Sequence, residues 1–332
     1  MQLPLLPTQD GALLVDNTML EIIAECWAKV KWNRLYKRIQ HKGMAAPDFG
    51  SVMHEVLNYR YSTVKDKPVT PEVFQQQSAL LSKWFSDHPV DEFERRNENL
   101  AIELLKKYNQ KYQTEPFNVL QDKEGKIVAE YPFAIPLYTA RFKMAPLPVI
   151  FTGKIDLPVL WEGSKLIVID HKTDSMYFGP QRFCEELRVS NQFRGYAWAF
   201  EKASGQKVDG FCINGIPTKE PPAKPKQGLD NWWNDWLVRE LVYLDTQPSW
   251  REEWFSSTVD TVDSFLWHYE RESFPATGRF VRACTKYGGC HYLDVCGQAS
   301  EEAKLTMLES GIFVDNLWSP LQQKQTTNGI NK

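Results

Sequence analysis

The sequence has no uninterrupted apolar run of about 18 residues, the length that a membrane-spanning helix needs. Its first residues, MQLPLLPTQDG, lack the basic region and the long apolar segment of a signal peptide. No segment repeats along the chain. From these absences we expect a cytoplasmic protein that makes no contact with a membrane.

A strong excess of positive charge is also missing. The 332 residues include 39 Lys and Arg against 42 Asp and Glu, a formal net charge of −3. This balance argues against a protein that coats nucleic acid with a wholly basic surface, but it is compatible with a local phosphate-binding groove. With 42% hydrophobic and 24% charged residues, the chain can form one large core domain with additions.

Cysteine is scarce, and half of it is clustered near the end of the chain. Of the six cysteines, Cys284, Cys290 and Cys296 are each separated by five residues. In a reducing cytosol, such a cluster indicates a metal site rather than disulfides.

The most informative stretch is residues 151–173, which reads as two apolar strands joined by a turn at Gly163. Asp156 and Asp170 each lie seven residues from that glycine. If the hairpin closes symmetrically, their Cβ atoms are roughly 5 Å apart, and Lys172 shares the face of Asp170. Two carboxylates this close repel each other, and a divalent cation relieves the repulsion. The alternative is a pair of polar strand ends with a surface salt bridge.

Hydrophobic periodicity and turn residues divide the rest of the chain into helices and strands. The predicted helices cover residues 17–40, 47–61, 71–113 (one or two helices), 185–203, 229–272 and 299–317. The predicted strands cover residues 126–137, 149–161, 165–172 and 208–216, with the first three forming a meander before a crossover helix. This order predicts an α/β fold in which helices flank a mixed central sheet. Further helices are added at the N-terminal and C-terminal ends of the chain.

The same pattern divides the chain into four regions. We expect an N-terminal helical region over residues 1–120, a core over 121–217, a C-terminal helical region over 218–300, and a terminal helix with a disordered tail over 301–332.

Several features have two interpretations at this point. The basic end of the first helix either lies in solvent and complements the helix dipole, or contacts phosphate. The Pro- and Lys-rich loop 217–228 is either a solvated excursion or an arm that touches substrate. The tryptophans of residues 229–272 either pack against the core or stack on bases. His54, on a predicted helix, is either a hydrogen-bonded or surface residue or a ligand, and Glu130 is a carboxylate in an apolar strand.

With these elements in place, the chain resembles the PD-(D/E)XK nuclease superfamily, and most closely its RecB-type, Cas4-like branch. Motifs occur in family order: FGSVMHE, GKID, IDHKT and a Q-x-x-x-Y helix. They supply the following residues: His54, Asp156, Asp170, Lys172, Gln192 and Tyr196. The resemblance spans about residues 20–298 and implies a central sheet of the restriction-endonuclease-like type.

The resemblance implies a Mg²⁺- or Mn²⁺-dependent deoxyribonuclease, which we expect to act as an exonuclease on single-stranded ends. In this reading Lys172 orients or deprotonates a water and stabilises the phosphate, while Gln192 and Tyr196 position the DNA strand. The implied metal ligands are His54, Asp156, Asp170, the main-chain carbonyl of His171 and, through water, Glu130.

In the iron–sulfur members of this branch, one N-terminal cysteine joins three C-terminal cysteines around a [4Fe–4S] cluster. The matching residues are Cys26, Cys284, Cys290 and Cys296. Zinc is an alternative for the same thiolates, and buried thiols that bind nothing are another. We expect the cluster to join the two helical ends of the chain in a structural role. Cys184 and Cys212 match no motif and are expected in the core.

The resemblance also implies DNA as the partner, single-stranded or with free ends, in a bacterium or a phage-infected cell. Helicase-, recombinase- or integrase-type protein partners are compatible with it. An alternative function is a Cas4-like DNA-binding or processing subunit of a recombination or spacer-acquisition complex. A third is a purely structural iron–sulfur protein.

Overall fold

The computed structural model describes residues 3–6, 8–40, 45–90, 94–225, 228–244, 249–285 and 289–316. The chain forms two compact units, each assembled from segments that are distant in sequence. The first unit comprises Met1–Lys42, Pro132–Gly153 and Arg251–Lys332, and the second comprises Gly43–Tyr131 and Lys154–Trp250. The four-region division at residues 120, 217 and 300 stays a prediction. The predicted disordered tail lies outside the described residues.

The described chain contains the following strands and α-helices. The strands are β1 (Thr8–Gln9), β2 (Ala12–Val15), β3 (Arg38–Gln40), β4 (Phe117–Val119), β5 (Tyr131–Phe142), β6 (Ala145–Ile155), β7 (Leu157–Trp161), β8 (Lys165–Asp174), β9 (Gly210–Pro217), β10 (Val238–Tyr243) and β11 (Phe313–Asp315). The α-helices are α1 (Asn17–Glu25), α2 (Trp27–Val30), α3 (Ala45–Val64), α4 (Pro71–Asp87), α5 (Glu98–Lys111), α6 (Pro180–Arg188), α7 (Asn191–Ser204), α8 (Leu229–Trp236), α9 (Trp250–Glu270), α10 (Leu293–Cys296) and α11 (Glu301–Leu308).

The second unit is built around a five-stranded sheet in the order β10-β9-β8-β7-β4. Strands β8 and β9 are parallel and the other neighbours are antiparallel, so the sheet is mixed, as predicted. Leu57 of α3 and Leu104 of α5 are fully buried in one apolar cluster with Ile169 of β8. This arrangement is compatible with the restriction-endonuclease-like fold.

The hairpin of β7 and β8 has the predicted register. Leu157 pairs with Ile169 and Trp161 pairs with Lys165, so the hairpin is symmetric about Gly163. Continuing that register by one residue places Asp156 opposite Asp170. A slip of one residue would have moved Asp156 to the other face of the sheet.

The predicted three-strand meander is wrong, because residues 149–161 divide between two sheets. β6 belongs to a four-stranded sheet in the order β1-β2-β6-β5, whereas β7 belongs to the five-stranded sheet. The strands separate at Asp156, whose carbonyl accepts a hydrogen bond from the Glu130 N–H at 2.8 Å. Its carboxylate accepts another from the His171 N–H at 2.7 Å. These bonds take the place of a regular ladder at this point.

The prediction that Glu130 lies within a strand is wrong, because Glu130 lies just before β5 with φ of 48°.

The continuous helix predicted over residues 17–40 is also wrong. Cys26 is extended, with φ of −166° and ψ of 123°, and it separates α1 from α2. The N–H groups that follow are satisfied from the distant segment 275–277: Trp27 donates to Thr277 Oγ1 at 3.3 Å and Ala28 donates to the Pro275 carbonyl at 3.1 Å. Tertiary hydrogen bonds therefore override the helical periodicity here.

Three other predicted helices are interrupted. The Ser190 hydroxyl accepts from the Gln192 N–H and starts α7 anew, so the helix predicted over 185–203 is two helices. The helix predicted over 229–272 contains β10, which forms the edge of the five-stranded sheet. The helix predicted over 299–317 ends at Leu308 and is followed by β11, which pairs with β3.

Most of the tryptophans of residues 229–272 pack inside the protein. Trp232, Trp233, Trp250 and Trp254 are at most 3% exposed, whereas Trp267 is 49% exposed. The packing interpretation is therefore confirmed for these four. No helix in the described ranges is both long enough and apolar enough to cross a membrane.

The cations after α1 are held by carboxylates of the first unit. Lys29 pairs with Glu25, and Lys31 pairs with Glu301, both at 2.5 Å. This pairing favours the interpretation of a charged surface over that of a phosphate contact.

Candidate active site

Helix α3 packs closely against β8 at a glycine, Gly50. A Cβ added at Gly50 would lie 2.9 Å from Thr173 Oγ1, closer than packed atoms approach, so a larger residue would require the Thr173 side chain or the helix to shift. His54 follows one turn later on the same face of α3. The motif FGSVMHE thus combines close packing at Gly50 with a histidine held beside the strand end.

Three ligand-type side chains meet next to this helix. His54 Nδ1 lies 3.3 Å from Asp156 Oδ2 and 3.9 Å from Glu130 Oε1. One ligand atom from each residue lies within 4.8 Å of the others. The residues come from α3, from the break between β6 and β7, and from the position just before β5. Two carboxylates and an imidazole at this spacing form a donor set that fits a divalent metal ion.

Asp170 and Lys172 lie beside this group on β8. Strand alternation puts them on one face, as predicted, and Lys172 Nζ lies 2.8 Å from Asp170 Oδ2. Asp170 is not among the three residues that meet within 4.8 Å, but it interacts electrostatically with Asp156 and His54. It is 2% exposed, so its charge is compensated mainly by neighbouring side chains.

The remaining predicted residues occupy adjacent positions. The His171 N–H donates to Asp156 Oδ2, which ties β8 to the break after β6, while the His171 ring is buried. Gln192 Nε2 donates to the Tyr196 hydroxyl at 3.1 Å, which confirms that they share a face of α7. Burial and the nearby Asp170 raise the pKa of Tyr196, so α7 brings this hydroxyl next to the carboxylates.

A comparison with protein-family models identifies the family. The model of the PD-(D/E)XK nuclease superfamily matches residues 18–297, most of the chain. This chain belongs to the PD-(D/E)XK nuclease superfamily. Membership implies a metal-dependent nuclease with DNA as its substrate, and it confirms the superfamily that the motifs predicted. A search of the curated proteins finds no match.

The neighbouring carboxylates favour the protonated form of His54. Burial alone would lower the pKa of His54, but Asp156, Asp170 and Glu130 raise it to about 9. The imidazolium in turn holds the pKa of Asp156 below its ordinary value, although burial acts in the opposite direction.

The other two carboxyl groups are harder to ionise. Burial raises the pKa of Asp170 to about 6, against the effect of Lys172, and Asp156 contributes to the rise. Burial and Asp156 likewise raise the pKa of Glu130, against the effect of Lys154. Burial is thus the main cause of both shifts, and repulsion from Asp156 adds to it.

Lys154 is a site neighbour that the sequence analysis missed. Its ammonium pairs with Glu130, and it belongs to the motif GKID. The signal was present, because Lys154 lies two residues before Asp156 in that motif. The position of Glu130 could not be predicted in this way, since it depends on a left-handed backbone conformation at a non-glycine residue.

The four cysteines predicted as cluster ligands all belong to the first unit and are free thiols. Burial raises the pKa of Cys296, and the neighbouring Cys26 and Cys284 contribute to the rise. Burial also raises the pKa of Cys290, with contributions from Cys296 and Cys284. Electrostatic interactions therefore link Cys296 to the other cysteines of the set, although within the described ranges no three of these thiols meet within 4.8 Å as a single-ion site would. Cys184 and Cys212 are buried, as predicted.

Proposed function

We propose that this chain is a Mg²⁺- or Mn²⁺-dependent exonuclease that hydrolyses single-stranded DNA from its ends, in the RecB-type, Cas4-like branch of its superfamily. The observation that carries the proposal is the meeting of His54, Glu130 and Asp156 within 4.8 Å, beside the pair of Asp170 and Lys172.

The protein residues divide the work of hydrolysis. Asp156, Asp170, His54 and the main-chain carbonyl of His171 would hold the metal, and Glu130 would bind it through a water. The chemistry that bound Mg²⁺ or Mn²⁺ supplies is a lower pKa for a coordinated water and neutralisation of charge that develops on the phosphate.

Three side chains then act on the water and the DNA strand. Lys172 directs its ammonium to the attacked phosphate and orients the water, since it lies 2.8 Å from Asp170. Gln192 and Tyr196 position the strand from α7, where their hydrogen bond fixes both side chains.

The preference for single strands is supported by two exposed aromatic residues that follow β8 in the sequence. Tyr177 and Phe178 are 80% and 72% exposed, and their rings contact each other edge to face at 5.0 Å. They lie between β8, which carries Asp170 and Lys172, and the helices that lead to Tyr196. Exposed aromatic rings stack on unpaired bases without sequence preference.

This function is tested with three end-labelled or internally labelled DNAs of one sequence: a linear single strand, a linear duplex and a closed single-stranded circle. We expect Mn²⁺-dependent release of label from the linear single strand, slower release from the duplex, an intact circle, and no cleavage in EDTA. Cleavage of the circle at the rate of the linear strand would contradict exonuclease action. No cleavage of any substrate with either metal would contradict the whole proposal.

We further propose that Cys26, Cys284, Cys290 and Cys296 hold a [4Fe–4S] cluster in a structural role. Four soft thiolates suit iron–sulfur chemistry or zinc. A multi-atom cluster holds its ligands farther apart than a single ion does, which suits thiols that are neighbours without converging on one point. Cys290 and Cys296 also pack against a buried apolar cluster formed by Trp32, Tyr292, Val295, Leu308 and Phe313.

Replacing Cys290 with serine is expected to remove the brown colour of anaerobically purified protein and to lower its melting temperature, because a ligand that ties distant segments is lost. Absorbance near 400 nm, iron content and thermal unfolding measure the effect. Cys184→Ser is the matched control, since Cys184 is buried in the other unit and outside the group. A colourless wild-type protein with bound zinc would favour the zinc alternative.

The alternative role, as a DNA-processing subunit beside a helicase-, recombinase- or integrase-type partner, makes a different prediction. The isolated chain would then bind DNA ends in Mn²⁺ but cleave them only when the partner is added. Gel-shift and cleavage assays on the same samples separate the two roles.

A further inference from the structure

A buried network of polar side chains lies behind the His171 ring in the second unit. Its centre is the carboxylate of Glu115, which is held between two guanidinium groups: Arg60 Nη2 lies 3.0 Å from Oε1, and Arg239 contacts both carboxylate oxygens. The side chains of Glu115 and Arg60 are completely buried. Two tyrosines complete the network, and the sequence analysis did not identify any of these residues as part of a site.

The direction of every hydrogen bond leading to His171 can be assigned, because an arginine only donates. Arg239 Nε donates to Asn214 Oδ1 at 3.0 Å, which makes that atom the amide oxygen. Asn214 Nδ2 is then a donor, and it lies 2.6 Å from His171 Nδ1. His171 Nδ1 must therefore accept, which leaves the ring neutral with its proton on Nε2.

The tyrosine hydroxyls are consistent with the same assignment. Tyr108 accepts from Asn214 Nδ2 at 2.9 Å and from Arg239 Nη2 at 2.8 Å, so its own proton is directed to the Tyr61 hydroxyl at 2.9 Å. Tyr61 then donates to Glu115 Oε1 at 2.9 Å. Arg239 Nη2 also donates to the Tyr61 hydroxyl at 3.0 Å, so it shares its two hydrogens among Tyr61, Tyr108 and Glu115.

The imidazole of His171 links this network to the metal ligands. The Tyr61 ring is parallel to it within 6°, at a centroid distance of 5.9 Å, and the His54 ring meets its edge at 5.8 Å. The peptide N–H of the same residue donates to Asp156 Oδ2 at 2.7 Å. The His171 ring therefore contacts one ligand, His54, and the peptide N–H of the same residue binds a second, Asp156.

We propose that Asn214, oriented by Arg239, is a positioning residue of the metal site that holds His171 in its Nε2–H tautomer and fixes the backbone between Asp170 and Lys172 against Asp156. This inference rests on the proposed function for its effect on metal binding. The hydrogen-bond pattern itself is independent of that function. Asn214 is fully buried on β9, directly opposite His171 in the parallel ladder, and its side chain contacts the His171 ring.

The first test is the tautomer in the wild-type protein, read from ¹⁵N chemical shifts after selective labelling of histidine. The His171 signals are assigned by their loss in His171→Gln. We expect an unprotonated Nδ1 and a protonated Nε2. A protonated Nδ1 in the wild type would overturn the inference, whether or not the protein cleaves DNA.

The second test is Asn214→Asp, measured by Mn²⁺ titration and by the same spectra. A carboxylate keeps the contact with Arg239 but cannot donate to His171, so the proton is expected to move to Nδ1. Because such outer partners orient ligands, Mn²⁺ affinity is expected to fall about 10- to 100-fold. Asn214→Ser, which is too short to bridge Arg239 and His171, provides a second variant with the same expected direction.

The matched control is Asn109→Leu. Asn109 is another buried asparagine of the same unit, and its Nδ2 donates to Gln77 Oε1 at 3.0 Å, outside the network. It is expected to lower thermal stability while leaving the tautomer and the Mn²⁺ affinity unchanged. If the Asn214 variants bind Mn²⁺ with wild-type affinity, the network has only a structural role, and the proposal is overturned. A wild-type protein that binds no Mn²⁺ would instead refute the proposed metal site, while the spectra still decide the tautomer.

Discussion

Replacing Lys172 with alanine is expected to lower the rate constant of Mn²⁺-dependent DNA cleavage by about 10²- to 10³-fold, the range typical for loss of one group that stabilises charge in a transition state. The ammonium lies 2.8 Å from Asp170 Oδ2, and burial raises the pKa of that aspartate to about 6 even with Lys172 present. Removing the cation therefore weakens two functions, the stabilisation of the attacked phosphate and the ionisation of Asp170.

The matched control for this variant is Lys165→Ala, at the opposite end of the same strand. Lys165 is the first residue of β8, and its side chain is 44% exposed. We expect it to cleave DNA at the wild-type rate. If Lys172→Ala were as active as Lys165→Ala, the assignment of the site on β8 would be wrong. Single-turnover cleavage of an end-labelled strand at saturating Mn²⁺ measures the chemical step for all three proteins.

Mn²⁺ affinity is expected to rise with pH, by about tenfold per pH unit between pH 7 and the pKa of His54. That pKa is about 9 in the metal-free protein because neighbouring carboxylates outweigh the effect of burial. At pH 7 His54 is an imidazolium without a free lone pair, so each metal ion that binds must displace a proton. Since the raised pKa favours the protonated form, binding is weakest at low pH, and the dependence becomes flat above pH about 9.

Below pH about 6 the dependence should steepen, because Asp170 also becomes protonated there. Isothermal titration calorimetry in two buffers of different ionisation enthalpy measures both the affinity and the number of protons released. His54→Gln is the control, since glutamine has no proton to release in this range. Its weaker Mn²⁺ binding should be independent of pH between 7 and 9. An unchanged pH dependence in His54→Gln would show that another group titrates.

The hairpin that places Asp156 and Asp170 could be predicted because its information is local. The turn at Gly163 and the apolar strands on either side of it determine the register, and strand alternation then determines the face of Lys172. The spacing of Gln192 and Tyr196 on one helix is local in the same sense. His54 required more than periodicity, because a histidine on a helix is ambiguous until a motif places it next to the strand.

The features that could not be predicted depend on contacts distant in sequence. The break at Cys26 is stabilised by hydrogen bonds to residues 275–277, which no local pattern reveals. The separation of β6 from β7 depends on Asp156. Its carbonyl and its carboxylate accept hydrogen bonds from the N–H groups of Glu130 and His171, in place of the bonds of a regular ladder. The network of Glu115 and Arg239 joins residues more than 100 positions apart, so composition and spacing give no signal of it.

The most direct test of the central claim is a crystal structure of the protein with Mn²⁺, using anomalous scattering at the manganese edge. We expect one strong peak bonded to His54, Asp156 and Asp170, next to the main-chain carbonyl of His171, with Lys172 Nζ nearby but not coordinated. Glu130 should lie within reach of the ion directly or through a water. A peak at another place in the protein, or no peak at Mn²⁺ concentrations that support DNA cleavage, would contradict the account.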